Sequence, residues 1–473
     1  MRLVGIAFAV FLSIPVPVPA ASVGTDPEVL GQERLFEAWI QSQIAYRDLP
    51  GVAIGVVSGQ QLIWAKGFGY ADVAGKKPMT STTLFRMASH SKLFTSTAIM
   101  QLRDLGKLRL DDPVERYLPW FRIQPASPDD PPITIEELVT HGSGLPREAG
   151  PHWEDFNFPD REGVKKYIAE HKAAFSPGVR WKYSNLALTI AGLVVETVSG
   201  ESYGDYVQKH IFDPLKMTSS SVDKDLPGIA TGYGRRMPDG SRAKMPFVDA
   251  RAMGAATGIT SNVEDMAKFV ELQFRTGPVG GAQILSTGAL REMHRVRMME
   301  NDWTRGNAIG FSITRVKDKL YAGHGGSYMG YKTQTTIQLD SQVGVIVLTN
   351  GDDSNPADIA THLMQTVGEA AMKASAAPAK LISWDKKWTR YAGLYRNLFG
   401  DTQVVEINER LVMFAPNGPN PETQSNLIPL GNGRFRVEAA TGGGPVGEIV
   451  TFVEANGKIT RMNLGDGYSE RAN

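Results

Sequence analysis

The chain of 473 residues contains no cysteine. Disulfides, thiol catalysis and cysteine-based zinc sites are therefore excluded, as is lipid attachment to a signal-peptide cysteine. The formal net charge is zero and no cluster of Lys and Arg occurs, so we expect no nucleic-acid partner. The eight histidines are dispersed, with no H-E-x-x-H or other paired spacing. We therefore expect neither a metal nor a cofactor.

The N-terminus has the pattern of a secretory signal peptide. Arg2 precedes an apolar run at residues 3–14, and two prolines then end the run before small residues. The run is too short to span a bilayer comfortably, although an N-terminal anchor helix is the alternative. Residues 1–20 are predicted to be cleaved, which leaves a secreted or periplasmic protein without a stable membrane span.

Apolar residues beyond the signal follow both helical and strand periods. Spacing at i, i+3 and i+4 predicts helices over residues 28–47, 94–105 and 186–198. A capping box predicts one more helix start, at residues 261–264. Short β-type runs stand at residues 52–57, 62–65, 68–70, 337–339 and 343–348. Helices between early and late strands predict an α/β (α+β) domain over residues 27–370, with a mainly antiparallel sheet.

The composition changes near the C-terminal end of this domain. An Ala-rich stretch with a proline predicts a linker at residues 371–385. The sequence after this linker has only strand-like patterns of apolar residues. Asn456-Gly457 between two such apolar runs is a strong signal for a β-hairpin. Residues 386–473 are therefore predicted to form a small β-barrel-like domain.

The candidate nucleophile is Ser89, which stands three residues before Lys92 in an S-x-x-K string. Serine needs a base, and a lysine at i+3 on a helix faces the same side as the serine. Burial lowers the pKa of a lysine and allows it to act as that base. The same string recurs at Ser221, Ser241 and Ser383, where the surrounding sequence is polar and loop-like. Ser89 differs from these three serines in preceding a strongly apolar predicted helix.

Two further elements carry polar groups suited to hydrolysis. Tyr183 offers a phenol that can relay a proton, and Asn185 offers both a donor and an acceptor. Residues 324–327 read His-Gly-Gly-Ser, and adjacent glycines let a ligand approach backbone N–H groups that can hold an oxyanion. Each element taken separately has a purely structural alternative. Tyr183 could be a loop residue with Asn185 as a helix cap, and residues 324–327 could be a glycine-rich turn.

The three elements in this order resemble the serine β-lactamase and penicillin-binding-protein superfamily. The resemblance is to its class C-like branch of esterases, D-aminopeptidases and β-lactamase-related proteins, and it covers residues 30–365 or so. It rests on Ser89-x-x-Lys92, Tyr183-x-Asn185 and His324-x-Gly326. The C-terminal β segment is similar to the lipocalin-like domains appended in some members.

The resemblance implies a role for each residue of the first two elements. Ser89 would form the acyl-enzyme, while Lys92 and Tyr183 would share the general base and acid work. Which of the two takes the serine proton stays open at this point. Asn185 would orient the lysine and the substrate.

The third element would supply the oxyanion hole and one wall of the site. The backbone N–H groups of Ser89 and Ser327 would hold the oxyanion, with Gly326 leaving room beside the substrate. His324 stands where penicillin-recognising members usually carry a lysine. Because His is mostly neutral near pH 7, this departure favours ester or peptide-like substrates over β-lactams.

Several alternatives remain open from the sequence. A small-molecule ester, amide or peptide-like compound is the expected substrate, with a β-lactamase or a D-Ala-D-Ala-type peptidase as the alternatives within the family. A catalytically inactive binding protein is the alternative from another class. The oligomeric state is open. The loop at residues 147–175, with Trp153, Phe156 and Phe158, is a candidate lid or wall.

A rival nucleophile is Ser202, in a string that matches the G-x-S-x-G elbow of α/β-hydrolases. That elbow must follow a strand and begin a helix. Here a predicted helix precedes the string, so Gly200 is predicted to end that helix and Ser202 to cap the next one.

Overall fold

The structure, a computed structural model, describes residues 22–278, 281–300, 302–316, 319–376, 384–416, 424–439 and 445–472. The predicted signal peptide, residues 1–20, lies outside these ranges and stays a prediction. The chain divides into two compact units, Met1–Ser375 and Ala376–Asn473. This division falls within the linker predicted at residues 371–385, whose first residues are helical. Among the described helices, none is both long and apolar enough to cross a membrane.

The strands of the first unit are short at the edges of its sheets and long in the centre. They are β1 Gly51–Ser58, β2 Gln61–Asp72, β3 Lys77–Pro78, β4 Phe85–Arg86, β5 Ser221–Val222, β6 Ile259–Ser261, β7 Met298–Met299, β8 Arg305–Asn307, β9 Ser312–Val316, β10 Lys319–Tyr328, β11 Tyr331–Gln338 and β12 Val343–Thr349. Nine of these described strands form one antiparallel sheet, in the order β3-β2-β1-β12-β11-β10-β9-β8-β7. The first and last strands of the unit therefore pair at its centre.

Helices cover both faces of this sheet. They are α1 Pro27–Arg47, α2 Ser91–Asp104, α3 Ile135–Val139, α4 His152–Asp155, α5 Arg161–Glu170, α6 Asn185–Ser199, α7 Tyr203–Val207, α8 Asp213–Leu215, α9 Gly254–Thr257, α10 Val263–Gln273, α11 Thr287–Met293, α12 Pro356–Leu363 and α13 Glu369–Ser375. The helices predicted over residues 28–47, 94–105 and 186–198 correspond to α1, α2 and α6. Helix α10 is capped by Asn262, whose side chain accepts from the N–H of Asp265.

Strand β1 shows why the central strands read as continuous apolar runs. Every residue of β1 is buried, because its alternate side chains enter two separate cores. Val52, Ile54 and Val56 pack with α1 and α12, whereas Ala53 and Val57 belong to the larger core that contains α2 and α6. The predicted mixed fold with an antiparallel sheet and helical layers is confirmed.

The second unit is a closed antiparallel barrel in the described part of the chain. Its strands are β13 Gly393–Asn397, β14 Gly400–Glu406, β15 Leu411–Phe414, β16 Ser425–Gly431, β17 Arg434–Ala439, β18 Ile449–Ala455, β19 Lys458–Leu464 and β20 Gly467–Arg471. Pairing of β13 with β20 closes the barrel and confirms the predicted barrel. Its interior is filled by side chains, among them Trp388, Tyr395, Phe435 and Met462.

Candidate active site

Ser89 lies in a tight turn between the small three-stranded sheet and the largely buried helix α2. The sheet order is β4-β6-β5, and the N–H of Met87 donates to the carbonyl of Ile259 on β6, which anchors the entry to the turn. A 3-10 turn over Ala88–His90 follows, with Ala88 in the left-handed region at φ 52°. Such a conformation is costly for a residue other than glycine and recurs at functional sites. Ser89 is half-buried between fully buried neighbours.

Lys92 enters the core in the first turn of α2. It is 1% exposed, and its Nζ lies 3.1 Å from the Oγ of Ser89. The same Nζ donates to the Oδ1 of Asn185 at 2.7 Å and to the carbonyl of Ala256 at 2.9 Å. Burial lowers the pKa of Lys92 to about 7, against the opposing effect of the negative charge on Glu148. The lysine predicted as a base therefore has a pKa suited to that task.

Tyr183 reaches the same serine from the loop before α6. Its hydroxyl donates to the Oγ of Ser89 at 2.7 Å, and burial raises the pKa of the phenol to about 12. The ring is held by His141, with ring centroids 4.5 Å apart, and by the guanidinium of Arg147, 5.0 Å from the ring centroid. Tyr183 is therefore protonated and oriented toward the serine.

Asn185 connects Lys92 to a carboxylate that sequence reasoning missed. Its Nδ2 donates to the Oε1 of Glu148 at 2.6 Å, while its Oδ1 accepts from Lys92, so both ends of the amide have partners. Burial raises the pKa of Glu148, but hydrogen bonds from His152, Trp153 and Asn185 outweigh this effect and the net shift is downward. Glu148 is therefore ionised. The amide of Asn185 lies between its carboxylate and the amine of Lys92, and the negative charge acts on the pKa of that amine.

Strand β10 forms the opposite wall. Strand β9 pairs with it only as far as Gly323, so residues 324–328 present an open outer edge. Tyr328 and Tyr331 flank a two-residue turn and form a hydrogen-bonded pair. Hydrogen-bonded and non-hydrogen-bonded pairs alternate along an antiparallel pair of strands, so Ser327 belongs to a non-hydrogen-bonded pair. Its N–H therefore points away from β11 and toward this edge. Burial lowers the pKa of His324 to about 4, so its imidazole is neutral.

Gly326 is the point where this strand approaches the nucleophile turn. A Cβ there would lie 2.4 Å from the carbonyl oxygen of Met87 and 3.0 Å from the Cβ of Ala88. Only glycine fits this approach. The strand edge and the turn that carries Ser89 are therefore in direct contact.

The predicted site residues come together at one pocket of about 710 Å³. Its lining includes Ser89, Tyr183, Asn185, His324, Gly326 and Ser327. Lys92 lies beneath the lining and reaches it through Ser89. Of the predicted loop aromatics, Trp153 lines the pocket, Phe158 is buried beneath it, and Phe156 is 38% exposed.

The other motif serines that fall within the described ranges have no such surroundings. Ser202 follows helix α6, which ends at Gly200 in the left-handed region, and its side chain caps α7 by accepting from the N–H of Asp205. Ser221 lies in the short strand β5, and Ser241 bonds Asp239 in an exposed turn. Ser383 lies outside the described residues.

Among the described residues, no group of three or more Asp, Glu or His side chains is placed so that it could hold a metal ion. The groups around Ser89 are instead an amine, a phenol, an amide and an imidazole. These are groups that move or hold protons at a serine.

A family of known proteins matches the unit that contains this site. The family model described as Beta-lactamase matches residues 36–367. The chain belongs to this family. The resemblance stated from the three sequence elements is thereby confirmed, and membership of the Beta-lactamase family indicates a serine hydrolase.

Individual relatives extend the match beyond the family segment. Penicillin-binding protein 4* of Bacillus subtilis (strain 168) is 24% identical over 406 residues, or 80% of this chain and 86% of the relative. A penicillin-binding protein homologue from Pyrococcus abyssi, described as octameric, has a TM-score of 0.64 at 25% identity and covers 92% of this chain and 99% of its own. A class C β-lactamase from Rhodobacter sphaeroides has a TM-score of 0.60 at 23% identity, covering 72% and 99% respectively.

Proposed function

We propose that this chain hydrolyses ester or amide bonds of peptide-like substrates through an acyl-enzyme on Ser89. The observation that carries the proposal is the position of the Ser89 Oγ, 3.1 Å from the Nζ of Lys92 and 2.7 Å from the hydroxyl of Tyr183. A serine is activated when a base lies within hydrogen-bond reach and is itself oriented by a third group. Asn185 is that third group, because it fixes Lys92.

Lys92 is the first base in this proposal. A neutral amine has two hydrogens and one lone pair. The two hydrogens are taken by acceptors, the Oδ1 of Asn185 and the carbonyl of Ala256, so the lone pair is left facing the Oγ of Ser89. A pKa of about 7 makes this neutral form abundant near physiological pH.

Tyr183 is the acid that serves the leaving group. As Ser89 attacks the substrate carbonyl, its proton passes to Lys92 and the carbonyl oxygen becomes an oxyanion. When the bond to the leaving group breaks, the phenol gives its proton to that group, and Lys92 then returns a proton to the phenolate. The Nζ of Lys92 and the hydroxyl of Tyr183 both lie at the Oγ of Ser89, at 3.1 Å and 2.7 Å, which supports this return.

The oxyanion would be held by the backbone N–H groups of Ser89 and Ser327. The open edge of β10 and the close approach at Gly326 support this assignment. Each fixed N–H donor of this kind contributes on the order of 10²-fold or more to turnover.

The substrate class is inferred from position 324 alone, since the pocket lining also contains the basic residues Arg147 and Lys332. His324 is neutral because its pKa is about 4, so it offers no permanent cation to a substrate carboxylate. This neutrality favours esters and peptide-like amides over β-lactams and D-Ala-D-Ala peptides.

A fluorophosphonate probe tests the nucleophile. We expect labelling of the purified protein at Ser89, lost in Ser89→Ala and retained in the matched variant Ser202→Ala. Labelling at Ser202 would overturn the proposal, and a folded protein that takes no label would favour a binding protein. A panel of p-nitrophenyl esters, D-amino acid anilides and nitrocefin then tests the substrate class, with turnover expected for the esters and anilides and weak turnover for nitrocefin.

A further inference from the structure

His90 follows the nucleophile directly, and the reaction proposed above does not use it. Its side chain is 0% exposed and lies between two threonines of β11. Its Nδ1 is 2.8 Å from the Oγ1 of Thr333, and its Nε2 is 2.9 Å from the Oγ1 of Thr335. Both nitrogens of the ring therefore have hydroxyl partners on one neighbouring strand.

The directions of these hydrogen bonds follow from a count of protons. The hydroxyl of Thr333 has a single hydrogen, which it donates to the carbonyl of Met87 at 3.3 Å. Thr333 must then accept from His90, so the Nδ1 of the imidazole carries the hydrogen. Burial lowers the pKa of His90 well below its usual value, with the positive charge of Lys92 acting in the same direction, so the ring is neutral. Its Nε2 is consequently an acceptor for the hydroxyl of Thr335.

These two threonines lie beside the residues of the wall. Thr333 is paired with Gly326, and Thr335 is paired with His324. A Cβ at Gly326 would lie 2.3 Å from the Oγ1 of Thr333. One chain of hydrogen bonds therefore runs from Thr335 through His90 and Thr333 to the carbonyl that precedes the nucleophile turn. It joins the turn to the strand pair that carries Ser327.

We propose that His90 is a positioning residue that sets the distance between the Ser89 turn and the β10 edge. Through this distance it aligns the N–H groups of Ser89 and Ser327 on one oxyanion. His90 itself touches no substrate. The proposal rests on the function proposed above, because alignment matters only if Ser89 and Ser327 hold that oxyanion.

The test replaces the ring by an apolar side chain and then restores one bond. In His90→Leu both bonds are lost, and we expect kcat to fall by about 10- to 100-fold with KM within about threefold, since small misplacements act on the transition state. The amide nitrogen of His90→Asn can occupy the place of Nδ1 and donate to Thr333. We expect this variant to recover to roughly one third of the wild-type kcat, as one bond of the chain is restored.

Two controls separate positioning from general structural damage. His294, at the end of α11, packs its ring against Phe311 and has no hydrogen bond to the site, so His294→Leu should alter thermal stability without a change in kcat. Thr335→Val removes only the donor to Nε2. If its effect on kcat is absent when His90 is already Leu, the two residues act as one unit.

The outcomes are distinct from those that test the nucleophile. A folded His90→Leu protein with wild-type kcat, or an Asn variant no better than Leu, overturns the positioning role while Ser89 labelling stands. If His90→Leu fails to fold, the kcat of His90→Asn and Thr335→Val decides: wild-type values in both overturn the proposal, and several-fold losses at unchanged KM support it. Activity that survives Ser89→Ala overturns the proposed function instead.

Discussion

Ser89 and Ser202 both match a hydrolase motif and both stand at the entry to a helix, yet their hydroxyls have different partners. The hydroxyl of Ser89 contacts the amine of Lys92 and the phenol of Tyr183. The hydroxyl of Ser202 bonds within its own helix turn, to the N–H and the carboxylate of Asp205. The first arrangement has groups suited to moving protons, whereas the second satisfies a helix end.

The comparison shows that a nearby partner is common to both serines, Lys92 for Ser89 and Asp205 for Ser202, and that only Ser89 also has a described partner from a distant part of the chain. Tyr183 reaches the Oγ of Ser89, and Asn185 reaches the Nζ of Lys92, each across more than 90 residues of chain. Asp205 is three residues from Ser202. Removal of the distant groups should therefore lower turnover at Ser89 strongly, while any change at Ser202 should be confined to stability.

The largest effect is expected for Lys92→Ala. The variant removes the base and leaves the Oδ1 of Asn185 and the carbonyl of Ala256 without their donor, so turnover should fall on the order of 10⁴-fold or more, as in Ser89→Ala. Steady-state hydrolysis of a p-nitrophenyl ester measures this loss. Near-normal esterase activity in Lys92→Ala would show that Lys92 is not the base.

A smaller loss is expected for Tyr183→Phe. The ring and its packing on His141 are kept, but the phenolic proton for the leaving group is removed, so kcat should fall by about 10²- to 10³-fold. The deficit should be larger for anilides than for p-nitrophenyl esters, since nitrophenolate leaves without a proton. Equal losses for both substrates would contradict the acid role.

A matched control for Tyr183→Phe exists in the barrel. Tyr395 is 0% exposed, and its hydroxyl donates to the carbonyl of Tyr391 at 2.7 Å. Tyr395→Phe should lower the free energy of unfolding by about 1 kcal/mol without a change in hydrolysis. Denaturant titration and the ester assay together check both parts.

The pH dependence should follow the protonation of Lys92. Because the neutral amine is the base, kcat/KM should rise with pH and level off above a pKa of about 7. Glu148 raises the pKa of Lys92 by its negative charge, so Glu148→Gln should move the acidic limb to lower pH. A limb that stays in place, or moves to higher pH, would show that Lys92 is not the titrating group.

The smallest effect is expected for Ser202→Ala. Loss of the side-chain bond to the N–H of Asp205 removes the cap of α7, which costs about 1 kcal/mol of the free energy of unfolding. Thermal unfolding measures this cost, and ester hydrolysis should equal that of the wild type. A large loss of activity would make Ser202 part of the site and remove the contrast with Ser89.

Local patterns were sufficient for much of the fold. The helices over residues 28–47 and 186–198 match α1 and α6 within one residue at each end, because apolar spacing and capping residues act over a single turn. The start of α10 was less well predicted, since Asn262 rather than Ser261 is its cap. Ser261 is the last residue of β6, and pairing with a distant strand decides that assignment.

The candidate site was only partly accessible from sequence. Ser89, Lys92, Tyr183 and Asn185 could be named because their short motifs occur in the family order. Glu148 could not, since it belongs to no motif and its role comes from contact with Asn185 and His152. The strained backbone at Ala88 is likewise a tertiary feature, because β6 and β10 hold the turn from two sides.

The sequence by itself determined the elements, the lack of thiol chemistry and the list of candidate groups. These depend on residue type and on spacing within a few turns of chain. Only the tertiary structure decided which serine lies beside a buried amine. Burial lowers the pKa of Lys92, Asn185 contacts that amine, and Tyr183 contacts Ser89. Desolvation and geometry at a site belong to the packed chain, and a local string of residues specifies neither.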